Sequence, residues 1–319
     1  HFALGSLFRR RGETERAIRM HKNLLERPDL PAEQRTAAML ELGQDYLKAG
    51  LLDRAEEVFA KLVQGPHRGT ALKHLLDIYQ QEKDWQKAIG IARELARESG
   101  EHWHKEIAEF HCELADGEAT HSRPAEARKL LQQALGEHRK CVRASIQLGD
   151  LAAAAGDHAE AIDHWKRIES QNPAYLALVA QRLLKSFQAI ADMPTGLTLL
   201  RGYLSRYPSL DLLDVVFQST LDAEGAQAAY ELVREEIRRN PTLLGLDKLL
   251  EAQLLTAPME RRQDLELVKN LVHGQTRRLA RYRCENCGFR ARQFYWQCPA
   301  CGGWETYPPR RTEEFDLAP

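Results

Sequence analysis

Four cysteines near the end of the chain have a spacing that could bind a metal ion. They are Cys284, Cys287, Cys298 and Cys301. They form two C-x-x-C-G motifs with ten residues between the pairs. Two thiolates on such a turn can point at one ion, and the following glycine, Gly288 or Gly302, permits the left-handed backbone that the turn requires. Four thiolates make a closed tetrahedral site that suits zinc or iron. The sequence therefore predicts one metal ion, with zinc favoured over iron in the purified protein.

The predicted metal site has two possible roles, structural support and electron transfer. Four protein ligands leave no open position for a substrate, which favours an ion that holds together a segment of about 30 residues. The second motif, C-P-A-C-G, also resembles the second knuckle of rubredoxins, so an iron-containing redox module is the alternative. Rubredoxins separate their two knuckles by a longer segment than this chain does. We predict a metal-binding ribbon at residues 281–309, with a tail at 310–319.

The segment around the cysteines is rich in arginine and aromatic residues. Its arginines are Arg277, Arg278, Arg281, Arg283, Arg290 and Arg292. Residues 289–296, F-R-A-R-Q-F-Y-W, alternate and are prone to form strands, so we expect a short β-hairpin there. The arginines suggest either a nucleic-acid-binding ribbon or a basic face that docks onto acidic repeat helices. We favour docking and expect no nucleic acid partner, because 45 basic and 46 acidic residues nearly cancel over the chain. The acidic candidates are Glu224, Glu231, Glu235 and Glu236.

The elements that precede the ribbon follow a repeat of about 34 residues. A small residue recurs four positions before a packing residue, at Ala17, Ala55, Ala88, Ala127, Ala161, Gly196 and Ala229. Successive positions are 38, 33, 39, 34, 35 and 33 residues apart. Apolar residues on either side return every three or four positions, which predicts paired amphipathic helices with turns at Gly12, Gly50, Asp84, Gly156 and Asp192. The pattern resembles the tetratricopeptide repeat.

This periodicity predicts an all-α protein with a small C-terminal ribbon. We expect about seven repeat units over residues 1–241, stacked into a right-handed superhelix. Residues 242–280 keep the helical pattern without the small residues, which predicts a degenerate capping hairpin that turns at Pro258 and Met259. The concave surface of such an array holds peptides or partner helices. The candidates to face it are Arg9, Gln44, Leu47, Lys48, Lys73, Asp77 and Gln80.

Other residues that could do chemistry are more simply explained by packing. His102, His104, His111 and Cys112 cluster in sequence, but nothing makes them converge on a second metal, so we expect ordinary helix or loop residues. Cys112 and Cys141 lie in apolar-periodic helices and are predicted to be buried thiols. His21 occupies a packing position of the repeat and is predicted to lie in the core.

The sequence does not favour an enzyme or a membrane-spanning chain. It contains no glycine-rich phosphate loop, no H-E-x-x-H and no G-x-S-x-G motif. No apolar run approaches the roughly 18 residues that cross a bilayer. Six cysteines, four of them in the C-x-x-C pairs, suit a reducing compartment.

Several segments of the chain resemble one bacterial family. They are H-F-A-L-G-S-L-F-R-R-R-G at 1–12, L-G-Q-D-Y-L-K-A-G-L-L-D-R-A-E at 42–56, W-Q-K-A-I at 85–89, and R-Y-R-C-E-N-C-G-F with Y-W-Q-C-P-A-C in 281–301. Together with the repeats, they resemble the lipopolysaccharide assembly protein B (LapB, also called YciM) family of Gram-negative bacteria.

The resemblance implies a non-enzymatic adaptor that regulates lipopolysaccharide biosynthesis. Members of that family promote degradation of the deacetylase LpxC by the membrane protease FtsH, and the inner-membrane protein YejM (PbgA) opposes them. Their rubredoxin-like domain packs on the repeats. By the same resemblance we expect the cytoplasmic face of the inner membrane, with a single-pass anchor upstream of His1.

Overall fold

The computed structural model describes residues 2–100, 102–279 and 281–312. The chain divides into two compact units, His1–His138 and Arg139–Pro319. In the described residues of the first unit, the helices are α1 (Phe2–Arg10), α2 (Thr14–Leu25), α3 (Ala32–Lys48), α4 (Leu52–Leu62), α5 (Arg68–Glu82), α6 (Trp85–Ser99), α7 (His104–Thr120) and α8 (Pro124–Glu137). Each helix packs on the next one in the chain.

The second unit continues the pattern and ends in a small sheet. Its described helices are α9 (Val142–Ala154), α10 (His158–Lys166), α11 (Ile168–Gln171), a 3₁₀ helix (Pro173–Leu178), α12 (Ala180–Ala189), α13 (Met193–Arg206), α14 (Leu210–Glu224), α15 (Ala226–Arg239), α16 (Leu243–Thr256) and α17 (Met259–Leu279). The strands are β1 (Arg281–Arg283), β2 (Arg290–Ala291) and β3 (Arg311–Thr312). The all-α repeat with a small C-terminal β ribbon is therefore confirmed.

The recurring small residues lie where the two helices of a hairpin approach most closely. The six alanines among them are fully buried. In three hairpins a glycine on the first helix also lies beneath a ring sixteen residues later on the second. These pairs are Gly5 with His21, Gly43 with Phe59, and Gly149 with Trp165. A Cβ atom at Gly43 would lie 2.6 Å from Cζ of Phe59, so only glycine permits this approach.

The turns between paired helices lie close to the predicted positions. Gly12 and Gly50 adopt positive φ angles of 81° and 73°. At the turn predicted at Asp84, the positive φ of 58° belongs to the preceding residue, Lys83. The Asp84 side chain instead accepts a hydrogen bond from the backbone N–H of Lys87 and caps α6.

The ribbon differs from the predicted hairpin at residues 289–296. Strand β1 pairs antiparallel with both β2 and β3, in the order β2-β1-β3, so the hairpin encloses the first cysteine pair. Within the predicted segment only Arg290 and Ala291 form a strand. The prediction of its position is wrong because Phe294 and Trp296 pack on the helical core of the second unit. Strand β3 also extends the ribbon into the segment that was predicted as a tail.

Candidate functional site

The four cysteines of the ribbon converge on one point. The sulfur atoms of Cys284 and Cys301 lie 3.8 Å apart, and those of Cys287 and Cys298 lie 3.7 Å apart. All four sulfurs lie within 4.8 Å of one another. A tetrahedral ion with metal–sulfur bonds of about 2.3 Å holds its sulfurs about 3.8 Å apart, so this donor set fits such an ion. The structure thus brings the four predicted cysteines together. Their spacing suits zinc and iron equally, so it does not distinguish between the two metals.

The backbone of the two knuckles explains this convergence. In each knuckle the glycine N–H donates to the carbonyl oxygen of the first cysteine, at 3.0 Å for Gly288 and 2.8 Å for Gly302. Both glycines have positive φ, at 76° and 71°, as the motif predicted. The first cysteine of each pair is buried and the second is exposed. Two equivalent turns therefore offer one inner and one outer sulfur each.

The pKa values of the thiols show how the site would respond to a cation. Burial tends to raise the pKa of Cys284, but the Thr306 hydroxyl and the backbone N–H groups of Cys287 and Asn286 lower it to about 6. The N–H of Gly303 lowers the pKa of Cys301, yet desolvation and the neighbouring sulfurs together raise it to about 12. The neighbouring sulfurs therefore oppose the ionisation of Cys301. A divalent cation among them would stabilise all four thiolates together.

Aromatic side chains attach the ribbon to the helices of the second unit. The ring of Trp296 stacks on that of Tyr175, in the 3₁₀ helix, with centroids 5.5 Å apart. Phe294 meets the same tyrosine edge-on at 6.2 Å. The guanidinium of Arg143, on α9, lies 5.7 Å from the centroid of the Trp296 ring. Because Tyr175 belongs to the buried core, the ribbon is a continuation of that core.

Two carboxylates complete the attachment. Glu305, next to the second knuckle, accepts a hydrogen bond of 3.2 Å from the backbone N–H of Val142 in the first turn of α9, where a negative charge is favourable. Asp211, on α14, accepts a hydrogen bond of 3.2 Å from the Tyr282 hydroxyl and pairs with Arg311 at 3.1 Å. Burial raises the pKa of Asp211, while Arg311 and Tyr282 act in the opposite direction.

Two of the predicted docking carboxylates are committed to other contacts, whereas Glu236 lines a cleft together with Arg310 and Arg311 of the ribbon. Glu224 pairs with Arg201 of α13 at 2.7 Å, and Glu231 pairs at 3.1 Å with Arg234, three residues later on the same helix α15. Sequence analysis missed Asp211, Glu305 and Tyr175. The signal for Tyr175 was weak, since an aromatic residue after Pro173 fits an ordinary repeat core as well.

The arginines near the ribbon do not form an isolated basic surface. Arg277, Arg292 and Arg311 line an open cleft of about 440 Å³. Its acidic lining residues are Asp211, Asp214, Asp247 and Glu251. Carboxylates beside the arginines disfavour phosphate binding in this cleft.

The remaining sequence candidates lie in the first unit, except for Cys141. His111 and Cys112 are buried on α7, and Cys141 is buried in the second unit. Among the described residues, no potential metal-ligand group includes His102, His104 or His111. His21 is buried as predicted, and its Nδ1 lies 2.5 Å from Oδ2 of Asp45. Sequence analysis missed this buried carboxylate.

The predicted partner-binding residues lie along the first helices of the first unit. Arg9 donates to both Glu41 and Asp45 at 2.8 Å, so much of its hydrogen-bonding capacity serves the repeat itself. Gln44 lies 3.4 Å from His74 on α5. Of the other five candidates, three are exposed, Lys48, Lys73 and Asp77, and two are half-buried, Leu47 and Gln80. Their role in partner binding stays a prediction.

One of these exposed side chains lines a cleft, and the pKa of another is shifted by the surrounding protein. Lys73 lines an open cleft of about 310 Å³ with Gly69, Thr70, Leu95 and Glu98. Asp77 is exposed, yet desolvation by the surrounding protein raises its pKa, against the effect of His74. The arrangement places polar and charged groups of α3 and α5 on neighbouring helices, as a peptide-binding surface requires.

Comparisons with known proteins agree with the fold and the metal site. Residues 282–309 match a family model described as a rubredoxin metal binding domain, and residues 1–35, 40–102 and 112–175 match tetratricopeptide repeat models. The chain is 34% identical over 314 residues to lipopolysaccharide assembly protein B of Escherichia coli K12, covering 98% of this chain and 80% of that protein. The chain belongs to the lipopolysaccharide assembly protein B family. The member from Haemophilus influenzae is 31% identical, with 98% of this chain and 79% of that protein covered.

A comparison with solved structures finds other repeat proteins. A crystal structure of MamA protein covers 59% of this chain and 94% of its own, at 16% identity and a TM-score of 0.36. The superposition is too weak to add to the family assignment. Within the described residues, every helix is too short or too polar to span a lipid bilayer.

Proposed function

We propose that this protein is a non-enzymatic adaptor that regulates lipopolysaccharide biosynthesis at the cytoplasmic face of the inner membrane. By family resemblance, it would promote degradation of the deacetylase LpxC by the protease FtsH, with YejM (PbgA) opposing it. The repeats would supply the binding surface, and the metal ribbon would hold the terminal helices in place. Membrane attachment would come from an anchor that precedes His1.

The observation that carries this proposal is the row of polar side chains on consecutive first helices. Arg9 of α1 bonds to Glu41 and Asp45 of α3, and Gln44 of α3 lies beside His74 of α5. These contacts join three first helices into one surface, from which Lys48, Lys73 and Asp77 project. A partner that lies across this surface would meet charged side chains of both signs held by rigid helices.

The ribbon contributes rigidity, not chemistry, to this function. Cys284, Cys287, Cys298 and Cys301 would hold the ion, which when bound crosslinks the two knuckles. Trp296 and Glu305 then keep fixed positions on the 3₁₀ helix and α9. We infer zinc as the ion in the purified protein; a coloured, reversibly reducible preparation would assign iron and the alternative redox role.

A quantitative pull-down of FtsH and LpxC tests the adaptor role. The variant combines Lys48→Glu with Lys73→Glu, and Lys61→Glu on the second helix α4 serves as a control, because this lysine is also exposed. We expect the double variant to recover about tenfold less partner, since a few contact residues carry most binding energy. Equal recovery with all three proteins would contradict the proposed surface, and recovery of neither partner by the wild type would contradict the adaptor role.

A further inference from the structure

The inner and outer sulfurs of the ribbon differ in their access to solvent. The inner cysteines, Cys284 and Cys298, are each 1% exposed and belong to a buried cluster with Tyr307. The outer cysteines, Cys287 and Cys301, are exposed. A reagent dissolved in the surrounding water therefore reaches the outer sulfur of each knuckle first, because the inner sulfurs are packed among aromatic side chains.

The hydrogen bonds to Cys284 distinguish it further from the outer sulfurs. The Thr306 hydroxyl lies 3.4 Å from the Cys284 sulfur, and two backbone N–H groups of the same knuckle also donate to this sulfur. Each outer sulfur has one principal donor, the backbone N–H of the residue two positions later. Donors of this kind stabilise the charge of a thiolate and reduce its nucleophilicity. The outer thiolates are therefore more accessible and less stabilised than that of Cys284.

Each outer sulfur also lies against the inner sulfur of the other knuckle. The distance is 3.7 Å from Cys287 to Cys298 and 3.8 Å from Cys301 to Cys284. An outer sulfur that becomes oxidised thus has a second thiolate almost in contact with it. Exposed thiolates with a resolving cysteine beside them are typical sites of reversible oxidation.

We propose that Cys287 and Cys301 are sites of oxidation by hydrogen peroxide, and that their oxidation opens the metal site. An outer thiolate attacks one peroxide oxygen, so that an S–O bond forms, the O–O bond breaks and hydroxide leaves. The inner thiolate of the other knuckle then attacks this sulfenic sulfur, which forms a disulfide and releases a second hydroxide. Two electrons pass from the sulfurs to the peroxide, and two protons from solvent convert both hydroxides into water.

The disulfide removes two of the four thiolates that could hold the ion. The two that remain are too few to retain a structural zinc ion, which depends on its complete ligand set. Trp296, two residues from Cys298, then loses the rigid knuckle that keeps its ring on Tyr175. Peroxide thus releases the ribbon from the repeat helices, and reduction restores it. This inference rests on the zinc assignment made above and is independent of the proposed adaptor surface.

Peptide mapping of the zinc-loaded full chain after treatment with hydrogen peroxide tests the chemistry. Dimedone traps sulfenic acids, and we expect at least about tenfold more trap on the outer sulfurs than on the inner ones. Trypsin separates the two knuckles into peptides 284–290 and 293–310, because arginines flank both. Without dimedone, a disulfide between the knuckles links these two peptides, whereas a disulfide within one knuckle leaves them separate. Cys112 and Cys141, which are buried, serve as internal controls and should stay reduced.

Zinc release and its reversal test the consequence for the structure. A zinc-binding dye should report one ion released per chain, with faster hydrogen exchange in the 3₁₀ helix that carries Tyr175. Dithiothreitol with added zinc should reverse both changes. A chain that keeps its zinc under peroxide that oxidises free glutathione would overturn the proposal. So would equal trapping on all four sulfurs, a disulfide within one knuckle, or a purified chain that carries no zinc.

Discussion

The indole of Trp296 lies flat on the phenol ring of Tyr175, with the two ring planes within 3° of parallel. Trp296 is two residues from Cys298, one of the four cysteines that could hold a metal ion, and Tyr175 is 1% exposed in the core of the second unit. The stack therefore joins the metal-binding loop directly to the repeat helices. Any change that loosens the knuckle is expected to reach the helical core through this pair.

A double-mutant cycle on these two rings measures that connection. We expect Trp296→Leu and Tyr175→Leu to couple by about 0.5–1.5 kcal/mol in the free energy of unfolding, as stacked aromatic pairs do. Urea unfolding followed by circular dichroism provides the values. Tyr295→Leu is the control partner for Tyr175→Leu, because the Tyr295 ring packs on Tyr307 within the ribbon. Coupling of equal size in the control cycle would show that the effect is not specific to the stack.

Gly149 is expected to tolerate no side chain. A methyl group there would overlap the indole of Trp165, which is 2% exposed and cannot move aside freely. Gly149→Ala should therefore lower the free energy of unfolding by about 1–3 kcal/mol. Gly90→Ala on α6 is the control, since no neighbouring element approaches that position; it should be neutral or stabilising by up to about 1 kcal/mol. Similar losses from both changes would contradict the packing role of Gly149.

The repeat architecture could be predicted from the sequence because its determinants are local. Ala55, four residues before Phe59, and Gly43, sixteen residues before it, specify a hairpin without reference to distant parts of the chain. The convergence of the four cysteines could also be predicted, since each C-x-x-C-G motif determines its own turn. The ribbon's strands were placed wrongly because Phe294 and Trp296 fit a hairpin by pattern, whereas burial against Tyr175 decides their positions.

The acid response of the first unit should depend on Glu41. Burial tends to raise the pKa of Glu41, but hydrogen bonds from Arg9 and Ser6 lower it below its ordinary value of 4.5. A lowered pKa favours the ionised carboxylate in the folded state. Its contribution to stability is therefore complete above about pH 4.5 and is lost as the pH falls through the lowered pKa.

Thermal unfolding of the wild type and Glu41→Gln over about pH 3.5–6.5 tests this sign. The wild type should have the higher melting temperature near neutral pH, and the gap should narrow on acidification. Acid effects on the metal site are common to both proteins and cancel in the comparison. A gap that stays constant, or widens in acid, would contradict the assigned role of Glu41.

The docking contacts could not be predicted because they join residues far apart in the sequence. Asp211 is 71 residues from Tyr282, and Val142 is 163 residues from Glu305. No periodicity relates such positions. The buried pair of His21 and Asp45 could not be predicted for another reason. Asp45 occupies a position that the repeat pattern assigns to the helix surface, and it is buried only because Arg9 and His21 contact its carboxylate.

Hydrogen exchange before and after removal of the metal tests the central claim most directly. A chelator is applied under reducing conditions, the released ion is quantified by elemental analysis, and exchange is followed by mass spectrometry. We expect one ion per chain, and loss of protection in the first turn of α9, in the 3₁₀ helix and at the start of α14, while α3 and α5 of the first unit are unchanged. Unchanged protection in the second unit after complete loss of the ion, or a reduced protein that binds no metal, would contradict a ribbon locked onto the repeats by its four thiolates.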